Sequence, residues 1–381
     1  MKKGQFRGYL LEDIISHLLE VNGYDLITTD ESSGICKKGN GLNVVGRGGV
    51  HQFDSLGEFK WNYPFTYPIR LFVEAKFWKE GRKERNRVGI NVIRNGLGVL
   101  TDVNQGETTV NSNTISLLGR KYQYHYAVFS TTGFSKDAIR FALAHKIHLV
   151  DLNSREYKSL LDSIENFTNI IFEKYSLDKK NISKEYAKWV RVWIRYKLGL
   201  TANISKYLNE YNEDFNNNKM GNISSDTLEK FKLLMEGIYE KELESLGDIK
   251  AIYLASSKSP FIIGMTSNRL QDHENFIASI KENNRQEVSI TFEENENKEM
   301  WYIKNGGEKE YTLSFQLPKL LAEYIFSENN KRIYQTAYNA KGKFLTELNL
   351  MVKIEEGQNP VHCTLIYSPE LTDKRVQKDN E

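Results

Sequence analysis

The segment of residues 69–77 constrains the fold most, because its side chains alternate along the chain. Its odd-numbered positions are all apolar, whereas Arg70, Glu74 and Lys76 occupy even-numbered positions. Alternation with period two is the pattern of a β-strand with one buried face. On such a strand Glu74 and Lys76 share the other face, with their Cβ atoms about 6–7 Å apart. We therefore predict a strand that carries a carboxylate and an ammonium group side by side.

Asp54 can supply a second carboxylate to this pair. It follows the Gly48-Gly49 turn, at the end of a short segment with strand character. A hard divalent cation such as Mg²⁺ binds through one or two protein carboxylates and keeps several waters. A neighbouring ammonium group can orient water or offset charge on a phosphate. Glu74-x-Lys76 alone is more typical of a surface ion pair, so it is Asp54 that favours a cation and phosphodiester site.

Three further residues are candidates beside this trio. Glu12 lies at the edge of the apolar face of a helix predicted over residues 8–22, where it could reach the site or extend to solvent, and Asp13 points away from that face. Gln52 shares the face of Asp54 if the segment is one strand, so we include it among the candidate catalytic residues. His51 could act as a general base, although a single histidine is more often a packing or hydrogen-bonding residue.

Basic residues follow the predicted strand directly. They would place cations beside the trio, where these could contact DNA phosphates. A charged run is also the ordinary composition of a solvated loop, and both interpretations stay open. The run consists of Lys79, Arg82, Lys83, Arg85 and Arg87.

Composition excludes several classes of protein. The chain has 381 residues, of which 40% are hydrophobic, so it can bury more than one core. Cys36 and Cys363 lack companions at metal-binding spacing, which argues against a disulfide framework or a structural zinc site. No apolar run reaches the roughly 18 residues that cross a bilayer, so we expect a soluble cytoplasmic protein without membrane contact. The net charge of +2 does not by itself indicate a nucleic-acid partner.

The order of predicted elements divides the chain into three parts. Residues 1–155 alternate helical and strand segments, which predicts an α/β fold with a mixed central sheet flanked by helices. Within this part, residues 86–99 are predicted helical and Ser135 is predicted to cap a helix. Residues 156–247 form a predicted helical middle segment with an Asn-rich loop. Residues 248–381 are predicted to be a β-rich domain with a hairpin near Gly306 and a strand at positions 333–338.

The order of these motifs resembles the PD-(D/E)xK nuclease superfamily. A helix that carries Glu12 is followed by Asp54 and then by Glu74-x-Lys76, with Phe53 where the superfamily often has proline. The block of residues 46–54 is similar to the core of Mrr-type restriction endonucleases. So is the downstream block Thr-Thr-Gly-Phe-Ser-Lys-Asp-Ala at residues 131–138, which leads to the strand predicted at 147–151. The resemblance covers residues 6–152, approximately.

This resemblance implies a restriction-endonuclease-like fold and a Mg²⁺-dependent endodeoxyribonuclease that acts in restriction or anti-phage defence, with Mn²⁺ as an alternative cation. It implies that Asp54 and Glu74 are the metal ligands, Lys76 the catalytic lysine and Glu12 an auxiliary acid. DNA is the implied partner, and cleavage of both strands favours a homodimer or higher oligomer. Two alternatives stay open. One is a nuclease fold that binds nucleic acid or a protein without cutting, and the other is a nuclease effector activated by a partner or ligand at the C-terminal domain.

Overall fold

The computed structural model describes thirteen segments of the chain, and every structural statement below concerns these segments. They are residues 1–39, 41–61, 64–77, 87–105, 121–175, 180–200, 252–257, 262–267, 269–292, 300–306, 309–326, 332–355 and 358–371.

Strands of the N-terminal part form two sheets. They are β1 (Tyr24–Leu26), β2 (Ile35–Lys38), β3 (Gly41–Val45), β4 (Val50–Gln52), β5 (Ser55–Phe59), β6 (Ile69–Lys76), β7 (Gln123–Ser130) and β8 (His148–Asp151). The larger sheet has five strands in the order β1-β5-β6-β7-β8. In it β5 is antiparallel to β1 and β6, whereas β6, β7 and β8 run parallel to one another. β2, β3 and β4 form a separate three-stranded sheet.

Helices cover both faces of the five-stranded sheet. They are α1 (Lys3–Val21), α2 (Ile90–Asn104), α3 (Lys136–Ala144), α4 (Lys158–Tyr175) and α5 (Lys184–Lys197). α1, α4 and α5 share one core with Val73 of the sheet, and α2 and α3 share another with Phe72 and Tyr126. The predicted mixed α/β arrangement is therefore confirmed. The helix predicted over residues 86–99 begins later, at Ile90, and runs on to Asn104.

Local sequence signals explain where α1 and α3 end and begin. The apolar residues of α1 recur at helical spacing and are buried, and the helix stops before Gly23, whose φ of 89° favours a residue without a side chain. Ser135 caps α3, because its side chain accepts a hydrogen bond from the backbone N–H of Ala138 (3.2 Å). This confirms the predicted cap.

α4 and α5 lie against α1, so residues beyond 155 contribute to the core of the first sheet. Buried side chains of α4 and α5 include Ile171 and Val190, which belong to the same cluster as Leu11 of α1. The division at residue 155 stays a prediction about domains, while the packing ties residues 158–197 to the preceding part. The Asn-rich loop predicted in the middle segment lies outside the described residues.

The C-terminal part is a closed seven-stranded barrel, which confirms the predicted β-rich character. Its strands are β9 (Ile252–Ser257), β10 (Ile262–Ser267), β11 (Arg285–Phe292), β12 (Met300–Asn305), β13 (Thr312–Gln316), β14 (Glu347–Val352) and β15 (Val361–Tyr367), and its helices are α6 (Leu270–Glu282), α7 (Lys319–Ile325) and α8 (Ile333–Phe344). The strand order is β10-β13-β12-β11-β15-β14-β9. β11 and β15 pair in parallel, and the other neighbours are antiparallel. β12 and β13 form the predicted antiparallel pair around Gly306.

One prediction for this part is wrong, and one helix was missed. Positions 333–338 are not a strand, because they lie in α8. Ala337, Ala340 and Lys341 are all buried, and their spacing places them on one side of a helix. The segment of residues 333–338 was misassigned because a short apolar run has too few positions to distinguish period two from period 3.6. The helix α6 was not predicted.

The barrel contacts the chain that leaves β8. The backbone N–H of Arg155 donates to Gln316 Oε1 (3.1 Å), and the backbone N–H of Gln316 donates to Glu156 Oε1 (3.4 Å). The next residue, Tyr157, is buried against Gly264, where any Cβ atom would overlap its hydroxyl group. These contacts join the barrel to the end of the five-stranded sheet. In the described segments, no helix has both the length and the apolar character needed to cross a membrane.

Candidate active site

Asp54 lies between two strands, at the point where β5 begins to pair with β6. Its backbone N–H donates to the carbonyl oxygen of Val73 (3.1 Å), and its Oδ2 accepts from the backbone N–H of Ala75 (2.7 Å). The side chain of Asp54 thus continues the hydrogen-bonding pattern of the sheet by one position. Since Ala75 separates Glu74 from Lys76, this bond fixes the Asp54 carboxylate beside both predicted partners.

Glu74 is held from two sides. Its Oε1 lies 2.5 Å from Lys76 Nζ, and its Oε2 accepts a hydrogen bond from the Tyr126 hydroxyl group (2.7 Å). The side chains of Glu74 and Lys76 are 23% and 26% exposed, so both groups remain accessible to solvent. The prediction that Glu74 and Lys76 share a face of one strand is therefore confirmed.

Tyr126 is a member of this cluster that the sequence did not single out. Its ring stacks on Phe72 with a centroid distance of 5.1 Å, and Gly96 of α2 makes room for it. Burial and the adjacent Glu74 carboxylate raise the pKa of Tyr126, so the phenol stays protonated and donates to Glu74. The sequence contains no local signal for this contact, because Glu74 and Tyr126 meet only through the parallel pairing of β6 and β7.

The charges of the trio interact. Burial raises the pKa of Asp54, the hydrogen bond from Ala75 and the Lys76 ammonium oppose that rise, and the Glu74 charge adds to it. Two carboxylates close together and partly withdrawn from water repel one another, and a cation relieves that repulsion. The arrangement is suited to binding positive charge.

Glu12 lies on α1, which packs on the face of the sheet opposite to Tyr126, and it is linked to the trio through the charge of Asp54. Burial raises the pKa of Glu12 to about 8; the Arg191 charge opposes this rise and the Asp54 charge adds to it. Arg191 Nη2 lies 3.5 Å from Glu12 Oε2. Glu12 therefore interacts with Asp54 through its charge and with Arg191 through close approach.

The prediction that Asp13 points away from the buried face is wrong. Asp13 is fully buried and accepts hydrogen bonds from Arg191 Nε (2.8 Å), Arg191 Nη2 (2.8 Å) and Arg195 Nη1 (2.9 Å). The physical reason is that α5 covers the side of α1 that an isolated amphipathic helix would present to water. A buried carboxylate is retained there because two guanidinium groups pair with it.

Gln52 and His51 belong to the three-stranded sheet. Gln52 is exposed, and its side chain lies close to Gly41. β4 ends at Gln52 and Asp54 lies in a bend, so the assumption of one continuous strand through both residues is wrong. The catalytic role of Gln52 stays a prediction without a geometric argument. His51 Nε2 is 2.7 Å from Asp102 Oδ2, which agrees with a hydrogen-bonding role.

The basic run is only partly described. Lys79, Arg82, Lys83 and Arg85 lie outside the described residues. Arg87 is described, and its charge lowers the pKa of Asp151, which burial chiefly raises. Contacts of the run with DNA stay a prediction.

The carboxylate oxygens of Asp54 and Glu74 are the candidate ligands for a cation at this site. Across the described segments, no three His, Cys, Asp or Glu side chains come together as a metal-binding group. Asp54 and Glu74 nevertheless offer hard oxygen donors, and Asp54 Oδ1 makes no hydrogen bond within the part of the chain that the structure describes. Two carboxylates with water completing the coordination are the type of site that suits Mg²⁺. The residues therefore fit a weakly ligated Mg²⁺ better than a cation that needs a full set of protein ligands.

Comparisons with known proteins identify no relative. We found no significant match between this chain and any protein-family model, curated protein or solved structure. The membership in the PD-(D/E)xK superfamily that the sequence motifs suggest therefore stays a prediction.

Proposed function

We propose that this chain is a Mg²⁺-dependent endodeoxyribonuclease with a restriction-endonuclease-like catalytic fold, whose active site contains Asp54, Glu74 and Lys76. The observation that carries the proposal is the hydrogen bond from the backbone N–H of Ala75 to Asp54 Oδ2, which brings a second carboxylate to the Glu74–Lys76 pair. The order of the mixed sheet also supports it, because Asp54 directly precedes β5, and β5 pairs with β6, which carries Glu74 and Lys76.

Asp54 and Glu74 would hold the cation, and Lys76 would act on the scissile phosphate. A bound Mg²⁺ would supply positive charge to the phosphate oxygens and lower the pKa of a coordinated water. The Lys76 ammonium can orient the attacking water and stabilise the charge that develops on the phosphate oxygens. Water adds to phosphorus in line, the bond from phosphorus to the 3′-oxygen breaks, and the products are a 5′-phosphate and a 3′-hydroxyl group. Tyr126 holds Glu74 in position through its hydroxyl group.

Glu12 would assist as an acid that interacts with Asp54. Its pKa of about 8, raised by burial, means that it exchanges a proton near neutral pH. A group of this kind can accept or release the proton of a water molecule close to the site. Its role is auxiliary, because the direct contacts of Glu12 are with α5 and not with Glu74.

A second candidate function is that of a nuclease effector controlled through the barrel. It is favoured by the reciprocal hydrogen bonds between Gln316 of β13 and the residues that follow β8. In that case a ligand or partner at the barrel would change the cleavage rate. The cleavage assay distinguishes the two, because a constitutive nuclease cuts DNA alone, whereas a controlled one needs a second component.

The proposal is tested by an assay of DNA cleavage in the presence of Mg²⁺ or Mn²⁺. The substrates are plasmid and linear DNA, each with and without base modification, and a reaction with chelator is the negative control. Asp54→Ala, Glu74→Ala and Lys76→Ala are each expected to abolish cleavage while the thermal unfolding transition is retained. Retention of wild-type Mg²⁺-dependent cleavage in all three variants would refute the proposal. Binding of DNA with no cleavage under any condition would instead favour a catalytically silent binding module.

A further inference from the structure

A pair of arginines on α5 meets a pair of acids on α1. Arg191 and Arg195 are four residues apart and so lie on one side of α5. Both donate to the fully buried Asp13. Of the two, Arg191 alone forms an ion pair with Glu12 in the described segments, at 3.5 Å, whereas Arg195 acts on Glu12 only through its charge, which opposes the rise that burial causes in the pKa of Glu12. The two arginines therefore share Asp13 as a structural partner but differ in their contact with Glu12.

Arg191 is fixed in place by more than one contact. Its Nε and Nη2 atoms engage the two oxygens of Asp13 at 2.8 Å each, and its guanidinium group lies over the ring of Tyr9, 4.5 Å from the centroid. A planar guanidinium bound at two atoms and stacked on a ring has little freedom to rotate. Its Nη2 atom is consequently held in one position relative to Glu12.

Glu12 in turn acts on Asp54. This part of α1 lies against the start of β5, because Ser16 Oγ donates to the backbone carbonyl oxygen of Glu12 (2.8 Å) and lies 3.1 Å from Oγ of Ser55, the residue after Asp54. The charges of the two acids interact across this contact, so the orientation of Glu12 influences the carboxylate proposed to hold the cation. Residues that orient the groups around a metal ligand commonly change metal affinity or activity by about 10- to 100-fold when they are replaced. A series of interactions thus runs from α5 through Glu12 to the start of β5, where Asp54 lies.

We infer that Arg191 is a positioning residue of the active site, which acts through Glu12 and makes α5 a functional part of the catalytic unit. This inference rests on the proposed function. It differs from a purely structural role, because Arg195 makes the same kind of bond to Asp13 yet makes no hydrogen bond or ion pair with Glu12 in the described part of the chain. Arg195→Gln is therefore a matched control for Arg191→Gln.

The experiment measures cleavage by the full chain at varied DNA concentration, so that kcat is separated from KM, and monitors unfolding in parallel. The variants are Arg191→Gln, Arg195→Gln, Glu12→Gln and the double variant Arg191→Gln with Glu12→Gln. Arg191→Gln is expected to lower kcat by about 10- to 100-fold with little change in KM. Arg195→Gln is expected to lower stability less than Arg191→Gln, because Arg195 makes one bond to Asp13 where Arg191 makes two, and to lower kcat by much less than about 10-fold. In the Glu12→Gln background, Arg191→Gln is expected to cause no further loss of kcat, since its effect passes through Glu12.

Equal losses of kcat in the two arginine variants would overturn the inference, as would independent, multiplicative losses in the double variant. Glu74→Ala distinguishes failure of the inference about Arg191 from failure of the proposed nuclease function. Suppose that the wild-type protein cleaves DNA and that Glu74→Ala abolishes this cleavage. If Arg191→Gln and Arg195→Gln then lower kcat equally, only the inference about Arg191 fails. If the wild-type protein does not cleave DNA, or Glu74→Ala cleaves normally, the proposed function fails and the inference fails with it.

Discussion

Tyr126→Phe tests whether the hydroxyl group of Tyr126 prepares Glu74 for cation binding. The substitution removes one oxygen atom and leaves the ring, which is stacked on Phe72 and packed against Gly96. The atom that disappears is the donor to Glu74 Oε2 at 2.7 Å. Glu74 keeps its contact with Lys76 but loses the contact that sets the orientation of its second oxygen.

The size of the expected effect follows from the one hydrogen bond that is lost. A hydrogen bond to a charged group contributes about 1.5–3 kcal/mol, which corresponds to about 10- to 150-fold in a binding constant. The loss of a partner that orients a metal ligand lies in the same range, about 10- to 100-fold. We therefore expect the Mg²⁺ concentration that gives half-maximal cleavage to rise by about 10- to 100-fold.

The assay is a Mg²⁺ titration of the initial cleavage rate, with unfolding in denaturant measured on the same preparations. Tyr124→Phe is the matched control, because Tyr124 lies on the same strand and its hydroxyl group accepts from Arg70 (3.2 Å), away from Glu74. Both variants should lose about 1.5–3 kcal/mol of stability, because each lost hydrogen bond involves a charged group. Only Tyr126→Phe should shift the Mg²⁺ dependence. An unchanged Mg²⁺ dependence, or an equal shift in Tyr124→Phe, would refute the role assigned to Tyr126.

Two further predictions concern stability. Gly96→Ala would place a methyl carbon 2.7 Å from Tyr126 Cε1 and should destabilise the fold by about 1–3 kcal/mol. Gly98→Ala lies on the same helix, but its methyl carbon would meet nothing within 4 Å, so it should stabilise the fold slightly. Denaturant titration of both variants checks this contrast. Because the pKa of Glu12 is raised from 4.5 to about 8, chiefly by burial, its contribution to stability is complete below pH 4.5 and is lost as the pH rises to 8. The unfolding free energy of Glu12→Gln minus that of the wild type should therefore increase between pH 4.5 and about 8 and level off above it. A difference that is constant with pH would contradict the raised pKa of Glu12.

Elements with a strong local signal were predictable from the sequence. The alternation over residues 69–77 and the apolar spacing of α1 gave the correct element types, because each pattern depends only on which face of a single strand or helix is buried. The convergence of Asp54 with Glu74 and Lys76 followed from motif order and strand phase. The contact that joins them was not predictable, because Asp54 lies in a bend and its side chain accepts a hydrogen bond from the backbone N–H of Ala75.

Contacts between distant segments were not predictable. Arg191 and Asp13 are separated by 178 positions and Tyr126 and Glu74 by 52, so no local pattern connects them. Asp13 was expected to face solvent because a helical wheel considers one helix alone. α5 covers that face in the folded protein, and the carboxylate is stabilised there by guanidinium groups that only the tertiary structure supplies.

Asp54→Asn provides the most direct test of the central claim, which is that two carboxylates and a lysine form a Mg²⁺-dependent phosphodiester-hydrolysing site. The amide oxygen of asparagine can still accept from the backbone N–H of Ala75, so the fold is expected to be retained while the negative charge is lost. The measurement is the rate of plasmid cleavage at saturating Mg²⁺, compared with the wild type and normalised to folded protein. The account predicts that the wild type cleaves and Asp54→Asn does not. Cleavage by Asp54→Asn at the wild-type rate, with the same Mg²⁺ dependence, would contradict it.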